Sequence, residues 1–118
     1  MDSEPLPPVP NPVPAPLRPG YTPEQLLPII GESNRYRLLG ILIDGAPHSA
    51  AELGRTLNKG QAATSKHLAS LRAAGIIELC DHARDRRTTC YRMVRAFVPA
   101  EGAPRELDFG WCVLRFPL

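Results

Sequence analysis

The side chains best placed to do chemistry lie in one stretch, residues 59–75, whose spacing predicts a single helix. At about 100° per residue, one side of this helix carries the residues expected to be buried, namely Thr64, Leu68 and Leu71. The opposite side carries small residues and one cation, Ala62, Lys66, Ala69 and Ala73. Because no large apolar group stands on that outer side, the helix can lie close against a partner surface.

The same helix carries several hydrogen-bonding groups. Gln61 offers an amide that both donates and accepts, and Lys66 offers a cation on a long stem. Ser65, His67 and Ser70 add shorter donors. Residues 33–95 as a whole hold eleven Lys/Arg against five Asp/Glu, although the complete chain has a net charge of only +2. This basic middle is typical of a protein that binds a polyanion, and plain solubility is the alternative explanation.

No catalytic or cofactor-binding constellation is visible in the sequence. A nucleophile, a base and an orienting group do not occur together, and no glycine-rich phosphate loop is present, so we predict neither an enzyme nor a bound cofactor. Three cysteines, an odd number, do not indicate a disulfide framework. Cys80, His82 and Cys90 offer no fourth ligand, so a metal site is not predicted. A redox role for Cys80 and Cys90 stays open, because a hairpin turning near Asp85 would bring them opposite one another.

The composition divides the chain into four parts. Eight of the first twenty residues are proline, which predicts a disordered or polyproline tail over 1–20. Residues 21–95 are expected to form one domain, 96–106 a linker, and 107–118 an apolar segment that packs on the domain or in a dimer interface. No apolar run is long enough for a membrane span, so a soluble cytoplasmic protein is expected.

Four helices are predicted in the domain. Thr22-Pro23-Glu24-Gln25 is a capping box with proline at the first helical position, and the short helix it opens should end near Gly31. Ser33 is expected to cap a second helix whose buried face holds Leu38, Leu39, Leu42 and Ile43. A second capping box, Ser49 to Glu52, opens the third helix, and the turn 58–60 leads into the fourth.

After Gly75 the pattern changes to that of strands. Residues 76–80 and 89–94 are rich in β-branched and aromatic residues and flank a charged run that contains Arg84, Arg86 and Arg87. This pattern predicts a hairpin with a basic tip. Residues 107–116 are apolar at both odd and even positions, which favours an extended segment buried on both sides.

This order of elements, together with several local motifs, resembles the ArsR-type winged helix-turn-helix regulators of bacteria over about residues 22–95. The motifs that carry the resemblance are Ser33-Asn34-Arg35-Tyr36-Arg37-Leu38-Leu39, Ala51-Glu52-Leu53, Gln61 to Leu68, Leu71 to Ile77, and Arg86 to Met93. The resemblance implies an α+β, mainly α, winged helix-turn-helix with a two-stranded wing. It does not imply metal sensing, because the run Glu52 to Leu57 lacks the cysteine pair of the metal-sensing members.

If the resemblance holds, the fourth helix enters the major groove of double-stranded DNA. Gln61 and Lys66 are then the long-reach candidates for base edges or phosphates, and Ala62 and Ala63 can approach a thymine methyl group. Ser65, His67 and Ser70 would contact the DNA backbone. Arg84, Arg86 and Arg87 would lie at the minor groove or the phosphates. Arg35 and Arg37 are expected to be exposed, as phosphate clamps or as solvated surface.

The sequence therefore predicts a sequence-specific DNA-binding transcriptional regulator, a repressor, acting as a homodimer on a palindromic site. The apolar C-terminal segment and the first helix are the expected dimer contacts, by a small margin over intramolecular packing. Two alternatives stay open: a winged helix used as a protein-interaction module, and a DNA-binding redox sensor. The sequence assigns no small-molecule effector.

Overall fold

The structure, a computed structural model, describes residues 21–81 and 88–117. The elements in chain order are α1 (Pro23–Ile30), α2 (Ser33–Leu42), β1 (His48–Ser49), α3 (Ala50–Leu57), α4 (Gln61–Ala73), β2 (Ile77–Asp81), β3 (Thr89–Met93), a 3₁₀ turn (Arg95–Phe97), β4 (Glu106–Asp108) and β5 (Val113–Arg115). Four helices with small antiparallel sheets confirm the predicted mainly α winged helix-turn-helix. None of the described helices has the length and apolar character that crossing a membrane requires.

Local signals set most helix boundaries. Thr22 and Ser49 both form complete capping boxes, with Gln25 and Glu52 as their respective partners, as predicted. The expected cap of α2 was wrong by one residue. Glu32 is the N-cap, and its carboxylate accepts a hydrogen bond from the Arg35 backbone N–H at 2.8 Å. The longer acidic side chain places a negative charge at the helix N-terminus, where the helix dipole favours it.

The core lies between the helices and the sheet. The predicted face of α2 is buried to 2% exposure or less and packs with the inner faces of α1, α3 and α4. The fully buried apolar side chains contributed by the helices include Leu26, Leu38, Leu39, Leu42, Leu53, Leu57, Leu68 and Leu71. Burying one such side chain is worth about 1.5–3 kcal/mol, so this cluster is the main fixed platform for α4.

The wing hairpin belongs to a three-stranded sheet in the order β1-β3-β2. β2 and β3 pair antiparallel from Ile77↔Met93 to Asp81↔Thr89, as the sequence predicts. The third strand, β1, was not predicted; it pairs His48 with Tyr91 and Ser49 with Cys90. A strand of two residues carries almost no periodic signal, so its existence depends on the neighbouring β3.

The C-terminal part differs from the single extended segment expected. β4 and β5 form a hairpin, with Gly110 in the left-handed region at φ +96° and the Gly110 N–H bonded to the Asp108 carboxylate. Phe109 and Phe116 are buried, but Trp111 and Val113 are 42% and 49% exposed, so the segment is not buried on both sides. The expectation failed because a hairpin turns one face of each strand to solvent.

This hairpin packs on the helices of the same chain. Phe116 stacks on Tyr36 of α2 with ring centroids 4.8 Å apart. The Trp111 indole N–H donates to the Tyr21 carbonyl at 2.8 Å, and the Arg105 guanidinium donates to the Gly40 carbonyl at 2.7 Å. The predicted linker also contains the buried Phe97, whose ring lies 5.5 Å from that of Phe109. The apolar C-terminal residues thus cover α1 and α2 within the protomer.

Candidate nucleic-acid interface

The outer face of α4 is bare, as the sequence predicts. Gln61, Ala62, Ala63, Lys66 and Ala69 are exposed. On the opposite face, Thr64, Leu68 and Leu71 are completely buried. The exposed face therefore presents backbone, methyl groups, one amide and one ammonium group, and a partner surface can approach it without meeting a bulky apolar side chain.

The N-terminus of α4 has no side-chain cap. Gly60 occupies the N-cap position, and its carbonyl accepts from both the Thr64 backbone N–H and the Thr64 hydroxyl, at 3.0 and 2.9 Å. The first N–H groups of a helix have no intrahelical acceptor, and the helix dipole makes that end attractive to anions. Gln61, Ala62 and Ala63 supply these N–H groups here.

The crossing of α3 and α4 depends on Gly54. A Cβ at that position would lie 3.1 Å from the Lys59 carbonyl oxygen and 3.3 Å from the Thr64 hydroxyl oxygen. The turn between the helices uses Asn58 in the left-handed region at φ +60°, and the Lys59 N–H bonds back to the Gly54 carbonyl at 2.9 Å. Gly54 was not predicted as a positioning residue, although an isolated glycine within a predicted helix is a signal of close packing.

A groove of about 340 Å³ runs between α4, the start of α3 and β3. Ser49, Gln61, Ser65, Thr89 and Tyr91 are among the residues that line it. Thr89 and Tyr91 were not singled out from the sequence, because their position beside α4 follows from the strand pairing alone. The groove joins the α4 face to the stem of the wing, so one extended ligand can contact both.

The predicted DNA-contacting residues other than His67 divide into three groups. Gln61, Ala62, Ala63, Ser65 and Lys66 come together at the N-terminal half of α4. Ser70 lies further along, and its hydroxyl donates to the Lys66 carbonyl at 3.3 Å. Arg84, Arg86 and Arg87 lie outside the described residues, as does His82; the stem on either side of them ends at Asp81 and Thr89.

Arg35 differs from the expectation of an exposed group, and His67, for which a structural or a phosphate-directed role was expected, is its partner. The Arg35 guanidinium lies 3.0 Å from the His67 Nδ1 and donates to the Ile29 and Pro28 carbonyls at 2.6 and 3.1 Å. The His67 side chain is only 20% exposed. The long arginine side chain reaches back to the end of α1, where the last carbonyls of the helix have no intrahelical donor. Arg35 is therefore a tether within the protein, and only the Nε2 of His67 remains for an external partner.

Glu32 completes this cluster. Its Oε1 lies 3.8 Å from the His67 Nδ1, and its Oε2 accepts from the Asn34 amide at 3.1 Å. The hydrogen bond from the Arg35 backbone N–H, followed by the nearby His67 and the remaining donors, holds the pKa of the Glu32 carboxyl below its ordinary value despite partial burial. Glu32 is thus a carboxylate at neutral pH and keeps its capping role.

Cys80 and Cys90 are direct register partners across β2 and β3, as the hairpin prediction required. Both are free thiols, and Cys90 is completely buried. Burial raises the pKa of both thiols above the ordinary value, and the neighbouring acidic groups add to that effect. Among residues 21–81 and 88–117, no cluster of three or more His, Cys, Asp or Glu side chains is arranged to hold a metal ion.

Comparison with known proteins places this geometry in a family. Residues 32–88 match the sequence model of the MarR family. Curated protein sequences gave no significant match. The structure of HlyU from Vibrio cholerae N16961 is similar with 32% identity and a TM-score of 0.50, over 58% of this chain and 70% of that one.

Two further solved structures share the fold at lower identity. A double mutant of ZitR from Lactococcus lactis is 22% identical, with a TM-score of 0.53 over 58% of this chain and 46% of that one. AdcR from Streptococcus pyogenes is 22% identical, with a TM-score of 0.50 over 54% of this chain and 46% of that one. The chain thus spans just under half the length of these two proteins. Its α2–β3 core, with the bare recognition helix and the wing stem, is a MarR-family winged helix-turn-helix domain.

Proposed function

We propose that the protein is a transcriptional regulator that binds double-stranded DNA with sequence preference and represses by occupying a promoter. The observation that carries this proposal is the outer face of α4, which is exposed, small and basic while its inner face is fixed in the core. In this proposal α4 lies in the major groove. The wing, with Arg84, Arg86 and Arg87, lies at the minor groove or on the phosphates.

The N-terminal half of α4 would make the closest contacts. The unpaired N–H groups of its first turn can bind a phosphate, because they combine free donors with the positive end of the helix dipole. The Gln61 amide can bond an adenine at two atoms, and the Lys66 ammonium can reach a guanine or a phosphate. Ala62 and Ala63 have only methyl groups, so they suit contact with thymine methyls.

The groove beside α4 supports a second line of contacts. Ser49, Ser65 and Thr89 place hydroxyl-bearing side chains along it, between the recognition helix and the wing stem. Hydroxyl groups commonly donate to phosphate oxygens, which position a protein on the duplex without reading sequence. Direct readout would then come mainly from Gln61 and Lys66, and sequence-dependent DNA shape would contribute a correspondingly larger share.

The finer assignments are also proposals. The Ser33 to Leu39 and Gln61 to Ile77 motifs support an ArsR-type subfamily, and the name adhesin competence repressor, which AdcR carries, supports repression as the mode of action. A homodimer is proposed because the large apolar side chains of Leu27, Trp111 and Val113 are exposed and could form an interface. A cytoplasmic location is proposed because a regulator must reach the DNA. A dimer would place two copies of α4 one DNA turn apart and so require a palindromic site.

Selection of bound duplexes from a random pool tests the proposal. We expect enrichment of a palindromic sequence, whose affinity falls as the salt concentration rises. Lys66→Ala should weaken binding of the selected duplex about tenfold and reduce the salt slope by about one. Arg115→Ala is the matched control, because it removes the same charge from the C-terminal hairpin, where Arg115 pairs with Glu106 at 2.6 Å. An unenriched pool with salt-independent binding would instead favour the protein-interaction module.

Redox control of DNA binding is a second candidate, favoured by the direct register pairing of Cys80 and Cys90. Register partners in antiparallel strands have Cα atoms about 4.5–5.5 Å apart, within the range that a disulfide requires. The raised pKa of both thiols opposes fast oxidation, because the thiolate is the reactive form. Mass analysis of the cysteines after mild peroxide, with DNA affinity measured in parallel, decides whether the pair forms a disulfide.

A further inference from the structure

One side chain of α2 links the recognition helix to the C-terminal end of α1. Arg35, in the first turn of α2, donates through Nε to the Ile29 carbonyl and through one terminal nitrogen to the Pro28 carbonyl. Its other terminal nitrogen lies 3.0 Å from the His67 Nδ1 on α4. Arg35 is thus a bridge between the C-terminal end of α1 and the middle of the recognition helix.

The groups at both ends of this bridge are acceptors for which Arg35 supplies the donor. The last carbonyls of a helix have no intrahelical donor, and Pro28 and Ile29 supply two of these carbonyls at the end of α1. At the other end, Arg35 has only donors, so the His67 Nδ1 that it meets must be an acceptor. The hydrogen bond therefore requires the neutral imidazole with its proton on Nε2.

We propose that Arg35 and His67 form a positioning pair that holds α4 in its DNA-binding orientation, and that protonation of His67 releases the pair and weakens DNA binding. The inference rests on the proposed DNA-binding function. A protonated Nδ1 cannot accept from Arg35, and the two cations then repel one another. Imidazole is the side chain that commonly gains and loses a proton near neutral pH.

Among the residues that the structure describes, the groups that face the His67 imidazole determine which contact replaces the Arg35–His67 hydrogen bond after protonation. From α2, the Glu32 Oε1 lies 3.8 Å from Nδ1, and Arg35 is the facing cation. From α1, the carbonyls of Pro28 and Ile29 reach the site only through Arg35. A protonated His67 would turn toward Glu32, which already accepts from the Arg35 backbone and from Asn34. The attachment of α4 would thereby shift from the end of α1 to the start of α2.

The direction in which DNA affinity changes as the pH falls distinguishes release of the Arg35–His67 pair from a simple gain of positive charge. An added positive charge on a DNA-binding helix should tighten binding to a polyanion as the pH falls. Release of the positioning pair predicts the opposite, namely weaker binding in mild acid. The loss should be roughly five- to tenfold, as expected for one charge-assisted hydrogen bond.

The first experiment measures affinity for the selected duplex at fixed ionic strength between pH 7.5 and 5.5. His48→Gln/His82→Gln serves as the background, so that His67 is the remaining histidine. We expect affinity to fall with pH in this background and to become nearly independent of pH when His67→Gln is added, because the amide oxygen accepts from Arg35 at every pH. Tighter binding in acid, or an equal fall in the His67→Gln protein, would overturn the proposal.

The second experiment uses the free protein and needs no DNA. Nitrogen NMR of the imidazole should show the Nε2–H tautomer of His67 at pH 7.5 and loss of the Arg35 contact at pH 5.5. Arg35→Lys should lose the tautomer preference, because an ammonium cannot span His67 and both carbonyls with the geometry of a guanidinium. A mixed tautomer in the unmodified protein refutes the pair. Failure to bind any duplex, with the tautomer as expected, refutes the DNA-binding function instead.

Discussion

Gly54→Ala tests whether the α3–α4 crossing sets DNA binding. The new Cβ would meet the Lys59 carbonyl oxygen at 3.1 Å and the Thr64 hydroxyl oxygen at 3.3 Å. Neither neighbour can move freely, because the Lys59 N–H is bonded to the Gly54 carbonyl and the Thr64 hydroxyl to the Gly60 carbonyl. Relief of the contact requires α4 to move outward by about half an ångström, since comfortable contacts begin near 3.5 Å.

Two opposing terms give the expected effect of Gly54→Ala on the free energy of unfolding. Alanine is favoured over glycine in a helix by about 0.5–1 kcal/mol, whereas forcing a methyl group into a packed interface costs about 1–3 kcal/mol. We therefore expect the free energy of unfolding to fall by about 1 kcal/mol, a difference of these two ranges. The displacement also shifts Gln61 and Lys66 out of the positions that fit the groove, so affinity for the selected duplex should fall roughly tenfold.

Urea unfolding and DNA titration of the same preparations check both numbers. Gly40→Ala is the matched control, because it makes the same change within α2, where the atoms nearest to the new Cβ belong to the Phe116 ring, at 3.0 Å. That variant should disturb the C-terminal hairpin and lower stability while leaving DNA affinity within about twofold, since Phe116 stacks on Tyr36 of α2 rather than on the proposed DNA-contacting residues. Wild-type affinity in Gly54→Ala, or equal losses of affinity in both variants, would refute the reasoning.

Two other predictions concern ionisable groups. Glu32→Ala should lower the free energy of unfolding by about 1 kcal/mol at pH 7 through loss of the α2 cap. Because the folded-state pKa of Glu32 is lowered, its contribution to the free energy of unfolding is present above the unfolded-state pKa and disappears as the pH falls through the folded-state pKa. Unfolding of both proteins at pH 7 and pH 3 checks this. An equal difference in free energy between the variant and the unmodified protein at the two pH values contradicts it. In a Cys112→Ser background, a thiol reagent should modify half-buried Cys80 before buried Cys90, with rates still rising above the ordinary thiol pKa, because burial raises both pKa values. Equal rates would contradict the burial order.

The sequence predicted features that depend on nearby residues and missed those that depend on distant ones. The capping boxes at Thr22 and Ser49 and the pairing of the wing strands are decided within short stretches of sequence. β1 was missed because two residues become a strand only when β3 is beside them. The C-terminal hairpin was missed because its turn depends on Asp108 and Gly110 within an otherwise apolar run.

The candidate site shows the same division. The helical period alone predicted which α4 side chains would be exposed, and the structure agrees at Ala62, Lys66, Ala69 and Ala73. The destination of the Arg35 side chain could not be predicted, because its partners are a histidine 32 residues away and carbonyls at the end of another helix. Long flexible side chains near a helix start have many possible partners, and tertiary packing selects among them.

The bare face of α4, the Gly54 crossing and the Arg35–His67 contact together affect which DNA sequences the protein prefers. Gln61 and Lys66 are the only long hydrogen-bonding side chains on the exposed face of the described helix before its last turn, so few base edges can be read directly. A helix with so few reading groups depends on its depth and angle in the groove, because small displacements decide whether those groups reach the bases. In this protein the angle is set by the methyl-free crossing at Gly54 and the Arg35–His67 contact. Changes at buried Gly54 or at half-buried Arg35 and His67 should therefore alter sequence preference as well as affinity.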